Sequence, residues 1–202
     1  TENEQEVEGE QGSLSRAEES LTMLVMHEDA NTSIWSYAVE HKGAGEDWLI
    51  GQLLEDLETV GLKNEKVVAK ADQEPSMTDV VREIVKQRES DFGTAVEQSA
   101  VGESDTNATI EKAIQDVEGQ IRTMRAALEM KIKDNVKLKD PIVPWMVRHA
   151  GCLISRCRVR PNGRTPLEMI RGRKTNAPIA AFGEVIMFKI PKTKLNPGKF
   201  ED

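Results

Sequence analysis

The sequence predicts a mixed α/β fold in which one sheet is flanked by helices. Two apolar runs, residues 21–29 and 33–42, are separated by a polar turn, which indicates an antiparallel β-hairpin. After the hairpin, segments with the 3.6-residue period of a helix alternate with short apolar segments typical of strands. The predicted order is β-β-α-β-α-β-α-α, a hairpin followed by crossover connections.

Turn and cap residues bound the elements after the hairpin. Gly61 is placed to end the first helix as its C′ residue, and Pro75 to begin the second. In chain order the pattern predicts a helix over 45–62, a strand over 66–72, a helix over 76–89, a strand over 93–101, helices over 108–132 and 143–158, a short helix from Thr165-Pro166, and a strand over 182–191.

Length and hydropathy exclude some classes of protein. The chain has 202 residues, 38% of them hydrophobic, which suits one α/β domain of ordinary size. No apolar run approaches the roughly 20 residues of a membrane span, so we expect no membrane partner. Residues 1–20 are acidic and lack the apolar region of a signal peptide.

Charge is divided unevenly along the chain. Residues 1–60 carry 15 acidic and 2 basic residues, whereas residues 131–200 carry 16 basic and 4 acidic residues. This asymmetry predicts that a polyanion meets the C-terminal third, although a solvated basic surface that offsets the acidic N-terminus explains it equally. The basic residues that we expect to contact nucleic-acid phosphates are Lys131, Lys133, Arg156, Arg158, Arg160 and Arg164.

Two carboxylates stand in positions where α/β proteins place functional groups. Asp72 ends the predicted strand 66–72, and Glu111 lies near the start of the long helix, with 38 residues between them. That interval has room for one helix and one strand, so the fold can bring the two acids together. Paired carboxylates bind divalent metals through oxygen, but a strand-end aspartate is often only a turn or cap residue.

Three stretches of the chain resemble the integrase catalytic core of copia-type retrotransposons. "VVAKADQEPSMTDV" resembles the strand and turn around that family's second catalytic aspartate, and "TNATIEKAIQDVEGQIRTMRAAL" resembles the segment with its catalytic glutamate. "LISRCRVRPNGRTPLEMIRGRKTN", followed by "FGEVIMFKIP", resembles a third block of the family. In that block the matching residues are Thr165, Pro166, Glu168, Gly172, Lys174, Phe182 and Gly183. The resemblance covers roughly residues 20–192.

The resemblance implies a fold, a cofactor and a set of partners. The fold is an RNase H-like mixed sheet flanked by helices, with the first strand missing from this sequence, plus a basic C-terminal extension. Asp72 and Glu111 are implied to be catalytic residues that bind Mg²⁺ or Mn²⁺, and Asn107 and Lys112 to contact nucleic acid. The implied reaction is 3′-end processing of the element's DNA and its transfer into target DNA. A homo-oligomer, action in the nucleus and an earlier cytoplasmic particle are implied as well.

Lys112 also has an ordinary structural alternative. Asp116 follows it by four residues on the same predicted helix, so the two side chains can form an ion pair instead.

Composition and the resemblance together divide the chain into three regions. They are an acidic disordered segment over 1–20, an RNase H-like integrase core over 21–135, and a basic helical and strand extension over 136–202.

The sequence departs from the family where the first catalytic aspartate is expected. No Asp precedes Asp29, which lies in the hairpin turn and is a poor substitute. Two carboxylates without a third bind metal weakly, so the chain is either an integrase core that catalyses poorly in this form or a catalytically dead nucleic-acid-binding remnant. An unrelated α/β protein whose acids are caps is a third alternative.

Two further groups of residues favour ordinary structural roles. The spacing of His149, Cys152 and Cys157 on one predicted helix does not match a usual zinc site. We expect the three tryptophans, Trp35, Trp48 and Trp145, to pack in the core or the hairpin, with base stacking as the alternative.

Overall fold

The computed structural model describes residues 20–72, 74–88, 93–98, 104–175 and 178–187. The predicted acidic segment falls outside these residues except for Ser20. The elements are β1 (Thr22–His27), β2 (Ile34–Val39), α1 (Asp47–Thr59), β3 (Val67–Ala71), α2 (Pro75–Gln87), β4 (Thr94–Gln98), α3 (Ser104–Ile132), α4 (Ile142–Cys157) and α5 (Pro166–Arg171). This order confirms the predicted alternation of strands and helices.

Local cap chemistry explains where the helices begin and end. α1 ends in a Schellman motif, because Gly61 has φ +83° and its N–H donates to Glu58 while Leu62 N–H donates to Leu57. α5 begins with a capping box in which Thr165 and Glu168 hydrogen-bond each other's backbone N–H groups. α3 begins at Ser104, four residues before the predicted start.

The strands form two small sheets rather than the single sheet that the pattern predicts. β1 and β2 pair antiparallel, with Thr22 opposite Val39, and β3 and β4 pair parallel, with Ala71 opposite Gln98. Within the described residues no strand connects the two pairs. Among these described strands, one edge of β1 and one edge of β3 are therefore open, because each strand hydrogen-bonds a neighbour on one side only.

Helix α4 covers the other edge of the hairpin. Ser155 Oγ accepts a hydrogen bond from Ile34 N (2.8 Å) and donates one to Ile34 O (2.9 Å), so the backbone of Ile34 points away from β1. Ser36 Oγ donates to Val147 O (2.6 Å) and accepts from Gly151 N (3.2 Å). Two serines thus satisfy backbone groups that an edge strand would otherwise leave unpaired.

The core consists of two hydrophobic clusters on either side of the hairpin. The first joins Ile34 to α3 and α4, and its buried members are Ile34, Ala113, Val117, Met124, Leu128, Val136, Val143, Met146, Ala150 and Ile154. The second joins the hairpin to α1 and α2, and its buried members are Leu24, Tyr37, Val39, Leu49, Ile50, Leu53 and Val80. Strand β2 contributes to both, so it fixes α1, α3 and α4 relative to one another.

Arg88 aligns the starts of β3 and β4. Its side chain is largely buried after α2 and donates to the carbonyl oxygens of Leu62 and Glu65, which precede β3. It also donates to Thr94 Oγ1 (2.7 Å), at the first residue of β4. These bonds hold the start of β4 against the segment that leads into β3.

The predicted strand over 182–191 is wrong for the part that the structure describes. Residues 184–187 form no ladder, and the side chains of Val185 and Met187 are 95% and 100% exposed. No described strand lies beside this segment to supply the hydrogen-bond partners that an extended backbone needs. The remaining residues, 188–191, fall outside the described residues.

We predict that Gly151→Ala destabilises the protein by about 1–3 kcal/mol, because overpacking forces the backbone apart. A Cβ at this position would lie 2.9 Å from Ser36 Oγ and 3.0 Å from both Ile34 O and Ser36 N. Urea unfolding followed by circular dichroism measures the free energy of unfolding.

The matched control is Gly119→Ala, also inside a helix, where the nearest atom to a new Cβ is Arg122 Nη2 at 3.8 Å. It should stabilise the protein by up to about 1 kcal/mol through helix propensity. Equal effects of the two substitutions would show that α4 does not approach β2 this closely.

Candidate metal and nucleic-acid site

Asp72 lies directly after β3, exposed to solvent. Its Oδ1 accepts a hydrogen bond from Glu74 N (3.2 Å), which closes the turn into α2. Asp72 therefore serves as a turn residue. Its Oδ2 makes no hydrogen bond with the described residues, so one carboxylate oxygen remains open to a ligand.

A cation stands close to this carboxylate. Lys42, in the loop before α1, donates to Glu74 Oε1 at 2.8 Å. That hydrogen bond raises the pKa of Lys42, and the negative charge of Asp72 adds a smaller increment. Two carboxylates and one lysine therefore lie together at the turn after β3, and this polar turn is accessible to solvent.

Glu111 lies on α3, two helical turns after its first residue and exposed to solvent. Its carboxylate makes no hydrogen bond or ion pair with any described residue. Since β3 and β4 are parallel, their C-terminal ends share one edge, and α3 begins six residues after β4 ends. No hydrogen bond or ion pair among the described residues links Glu111 to Asp72 or to its turn, so a shared site for the two acids stays a prediction.

The described part of the chain holds no group of three or more His, Cys, Asp or Glu residues that could bind a metal. Asp72 and Glu111 are its two candidate ligands, and both offer oxygen, the donor that Mg²⁺ and Mn²⁺ prefer. Asp29 instead lies 3.0 Å from His27 Nδ1 and is almost fully exposed. Metal binding by Asp72 and Glu111 stays a prediction.

The cations nearest Glu111 are already paired within the protein. Lys112 Nζ lies 3.2 Å from Asp116 Oδ1, which is the i,i+4 ion pair of the structural alternative, although its side chain is still 67% exposed. Arg158, just after α4, donates to the other oxygen of Asp116. This hydrogen bond lowers the pKa of Asp116 below its ordinary value, outweighing the effect of burial.

Arg160 is hydrogen-bonded within the protein, whereas Arg164 is exposed to solvent. Arg160 Nη2 donates to Thr32 O (2.9 Å) in the hairpin turn, where Thr32 has the unusual φ of +60°. Arg160 Nε is buried without a described partner, and burial lowers the pKa of this arginine. Arg164 is exposed, and its backbone is hydrogen-bonded to Arg160 and Asn162.

The structure separates the predicted nucleic-acid residues into two groups. Lys112, Arg156, Arg158, Arg160 and Arg164 lie where the start of α3 meets the end of α4, the end that carries Glu111. Lys131 and Lys133, both exposed, follow 20 residues or more after Glu111, about 30 Å along a helix. Asn107 lies on the first turn of α3, and its side chain falls outside the described residues.

Sequence reasoning missed a buried ionic cluster that joins α1, β2 and α4. Asp56, on α1, accepts hydrogen bonds from Tyr37 and from Arg148 Nη2 (2.8 Å), and the Arg148 guanidinium lies 4.7 Å from the Tyr37 ring centre. Burial and then the bond to Asp56 raise the pKa of Tyr37 well above its ordinary value, so it stays neutral. The sequence did contain one signal for this cluster, an acidic residue within an apolar stripe. Asp56 follows Leu49 and Leu53 at helical spacing.

The tryptophan prediction is wrong for two of three residues. Trp48, on α1, is 53% exposed and Trp145, on α4, is 70% exposed, whereas Trp35 is half-buried beside the second cluster. The cysteines are exposed and free. No described helix is long and apolar enough to cross a membrane.

The arrangement of strands and helices in the described residues is similar to that of a chain in one solved structure. A chain in the cryo-EM structure of the simian T-cell lymphotropic virus intasome with PP2A regulatory subunit B56 gamma matches over 85% of this chain, with a TM-score of 0.52 and 11% identity. This chain spans about half, 54%, of that one. At such low identity the likeness shows a shared fold alone.

A second solved structure, the catalytic core domain of BIV integrase, matches at 12% identity over 75% of this chain and 86% of its own length. Its TM-score of 0.48 is too low to support a conclusion. No protein-family model and no curated protein sequence matches the chain. The copia-type resemblance therefore stays a prediction.

We predict that Asp116→Asn lowers the free energy of unfolding by about 1 kcal/mol at pH 7, because it removes a charged hydrogen-bond partner of Arg158. The pKa of Asp116 is lowered in the folded state, so this stability is present above the unfolded pKa, about 3.9. It should disappear as pH falls through the lower folded pKa. Urea unfolding of both proteins between pH 7 and pH 3 measures the difference.

Glu118→Gln is the control, since its ion pair with Arg122 on the same helix is long (3.6 Å) and exposed. It should change stability by less than about 0.5 kcal/mol at every pH. A difference between wild type and Asp116→Asn that does not vary with pH would contradict the prediction.

Proposed function

We propose that the chain is the integrase catalytic core of a copia-type retrotransposon. In this role it binds DNA and carries out metal-dependent 3′-end processing and strand transfer. The observation that carries the proposal is the position of Asp72, at the C-terminal end of a parallel strand in a fold similar to that of a retroviral intasome chain. In this proposal Glu111, on the helix that follows β4, would lie beside Asp72.

The two carboxylates would bind Mg²⁺ or Mn²⁺. Asp72 offers Oδ2 while Glu74 N holds its Oδ1, and Glu111 offers both oxygens because no described residue occupies them. When bound, the metal would polarise a water or a 3′-hydroxyl for attack on a phosphodiester and stabilise the leaving oxygen. The turn from Asp72 to Glu74 limits the rotation of the Asp72 carboxylate, which orients the free oxygen.

A third carboxylate would strengthen this site, and the resemblance implies one on a further strand. The edges of β1 and β3, open among the described strands, support this part of the proposal. The backbone groups of Met23 and Val25 alternate away from β2, and those of Val68 and Lys70 away from β4. A strand with an aspartate, inserted between these edges, would join both pairs into one sheet.

DNA binding would use the basic residues at both ends of α3. Lys112 and Arg164 are exposed at the Glu111 end, and Lys131 and Lys133 are exposed at the other. The roughly 30 Å between the two ends matches about nine base pairs of duplex DNA. A duplex that lies along α3 would therefore contact both groups through its phosphates.

Asp72→Asn and Glu111→Gln should each reduce Mn²⁺-dependent nicking of supercoiled plasmid DNA by about a hundredfold or more, because each removes a metal ligand. Isothermal titration with Mn²⁺ should show weaker binding in both variants. Asp79→Asn, an exposed aspartate on α2 that pairs with Arg82, is the control and should leave both unchanged.

Full nicking activity in Asp72→Asn would contradict the catalytic proposal. If wild type itself shows no metal-dependent nicking but binds DNA with a steep salt dependence, the dead nucleic-acid-binding remnant is the better description. The observation behind this second candidate is that the described residues include no group of three or more His, Cys, Asp or Glu side chains that could hold a metal.

Removing phosphate contacts should lower the salt dependence of DNA binding. We expect the slope of log K against log salt to fall by about one for each phosphate that the protein no longer neutralises. The pair Lys112→Ala with Arg164→Ala and the pair Lys131→Ala with Lys133→Ala should each lower it by about two. Fluorescence anisotropy of a labelled duplex at several salt concentrations measures the slope.

Lys63→Ala is the control, because Lys63 follows α1 and pairs with Glu58 at 2.8 Å. It should leave the slope unchanged. An unchanged slope after either pair of substitutions would show that DNA does not lie along the whole of α3.

A further inference from the structure

The loop between β2 and α1 holds Lys42 beside the turn that follows β3. One oxygen of the Glu46 carboxylate accepts hydrogen bonds from the backbone N–H groups of Glu40 (2.8 Å) and His41 (3.2 Å), the two residues before Lys42. The other oxygen accepts a hydrogen bond from Trp48 Nε1 (2.6 Å). The backbone that leads into Lys42 is therefore tied to the start of α1.

The backbone after Lys42 is anchored as well. Gly43 has φ +104°, a conformation that favours glycine, and a Cβ there would lie 3.9 Å from Cα, Cβ and the carbonyl oxygen of Ser76. Ala44 packs against the second hydrophobic cluster. Lys42 thus lies between two anchored stretches of backbone, beside the first turn of α2.

The contacts of Lys42 lead to Asp72. Lys42 Nζ lies 2.8 Å from Glu74 Oε1, and the backbone N–H of Glu74 donates to Asp72 Oδ1 at 3.2 Å. The hydrogen bond to Glu74 raises the pKa of Lys42, and the charge of Asp72 adds to the effect. Among the residues that the structure describes, no other basic side chain is hydrogen-bonded to or paired with the carboxylates of this turn.

The ion pair between Lys42 and Glu74 can open when another anion approaches. The two side chains are 64% and 41% exposed, and ion pairs exposed to this degree contribute little to stability. A phosphodiester oxygen is a charged acceptor that a lysine ammonium binds well. The N-terminus of α2, whose first turn contains no acidic residue, adds positive potential at the same turn.

We propose that Lys42 is a substrate-binding residue of the candidate site, which exchanges Glu74 for a non-bridging oxygen of the DNA phosphodiester held at Asp72. The ammonium group then offsets the negative charge that develops on the phosphate during attack. Glu74 is the partner of Lys42 when no DNA is bound and competes with the phosphate. The inference rests on the proposed function, because it requires DNA to bind at Asp72.

Lys42→Gln tests this role through two separate readouts. It should lower the rate of Mn²⁺-dependent plasmid nicking by at least about tenfold, because a cation on the reacting phosphate is lost. It should also lower the slope of log K for DNA against log salt by about one. Lys42→Arg retains the charge and should restore most of both.

The matched control is Lys63→Gln. Lys63 Nζ also lies 2.8 Å from a carboxylate oxygen, that of Glu58, and its side chain is 62% exposed. Lys63 precedes β3, whereas Asp72 follows it, so this pair lies at the opposite end of the strand. Nicking and the salt slope should both stay at their wild-type values.

Glu74→Gln separates phosphate binding from a purely structural ion pair. It breaks the same pair as Lys42→Gln but keeps the backbone N–H that holds Asp72 Oδ1. A structural pair would make both substitutions lower DNA affinity alike. As proposed, Glu74→Gln releases Lys42 and leaves DNA affinity unchanged or higher, while Lys42→Gln lowers it.

The outcomes distinguish this inference from the proposed function. If Asp72→Asn abolishes nicking but Lys42→Gln behaves like Lys63→Gln, the proposed function stands and the role of Lys42 is refuted. Equal losses of DNA affinity in Lys42→Gln and Glu74→Gln would refute it too. If wild type binds DNA without nicking it, the salt slope still decides the role of Lys42, and a chain that does neither would overturn both proposals.

Discussion

The close contact between α4 and β2 is the constraint on which the rest of the structure depends. Gly151 lets the helix approach the strand so closely that Ser36 and Ser155 take over backbone hydrogen bonds at the strand edge. α4 then packs on α3, and Arg148 reaches Asp56 on α1. A larger side chain at position 151 would disrupt all of these contacts at once, because protein interiors are too densely packed to absorb it locally.

Ionic contacts between distant elements complete the arrangement around the candidate site. Arg158 links the end of α4 to Asp116, barely more than one helical turn beyond Glu111. Arg160 holds the strained hairpin turn at Thr32. Part of the basic C-terminal third thus acts within the protein, which leaves a smaller set of exposed cations for phosphates than the net charge suggests.

The open edges of β1 and β3 bear on whether the chain can form a complete catalytic site. Among the described strands both edges are open, and neither strand contains a proline that would protect its edge, although β3 carries Lys70. Asp72, one of the two candidate carboxylates, lies directly after β3. The described part of the chain has neither a strand that joins the two strand pairs nor a third carboxylate at the candidate site. In the proposed arrangement a single aspartate-bearing strand would supply both.

The sequence by itself determined the order and type of the elements from the hairpin to α5, together with caps such as Gly61 and Thr165, because periodicity and cap chemistry act between residues a few positions apart. Only the tertiary structure decided that Trp48 and Trp145 are exposed, that Asp56 pairs with Arg148 and that Asp116 pairs with Arg158. Asp56 lies 92 residues from Arg148, and Asp116 lies 42 residues from Arg158. Such contacts depend on how helices pack around the strands, which no local pattern of residues records.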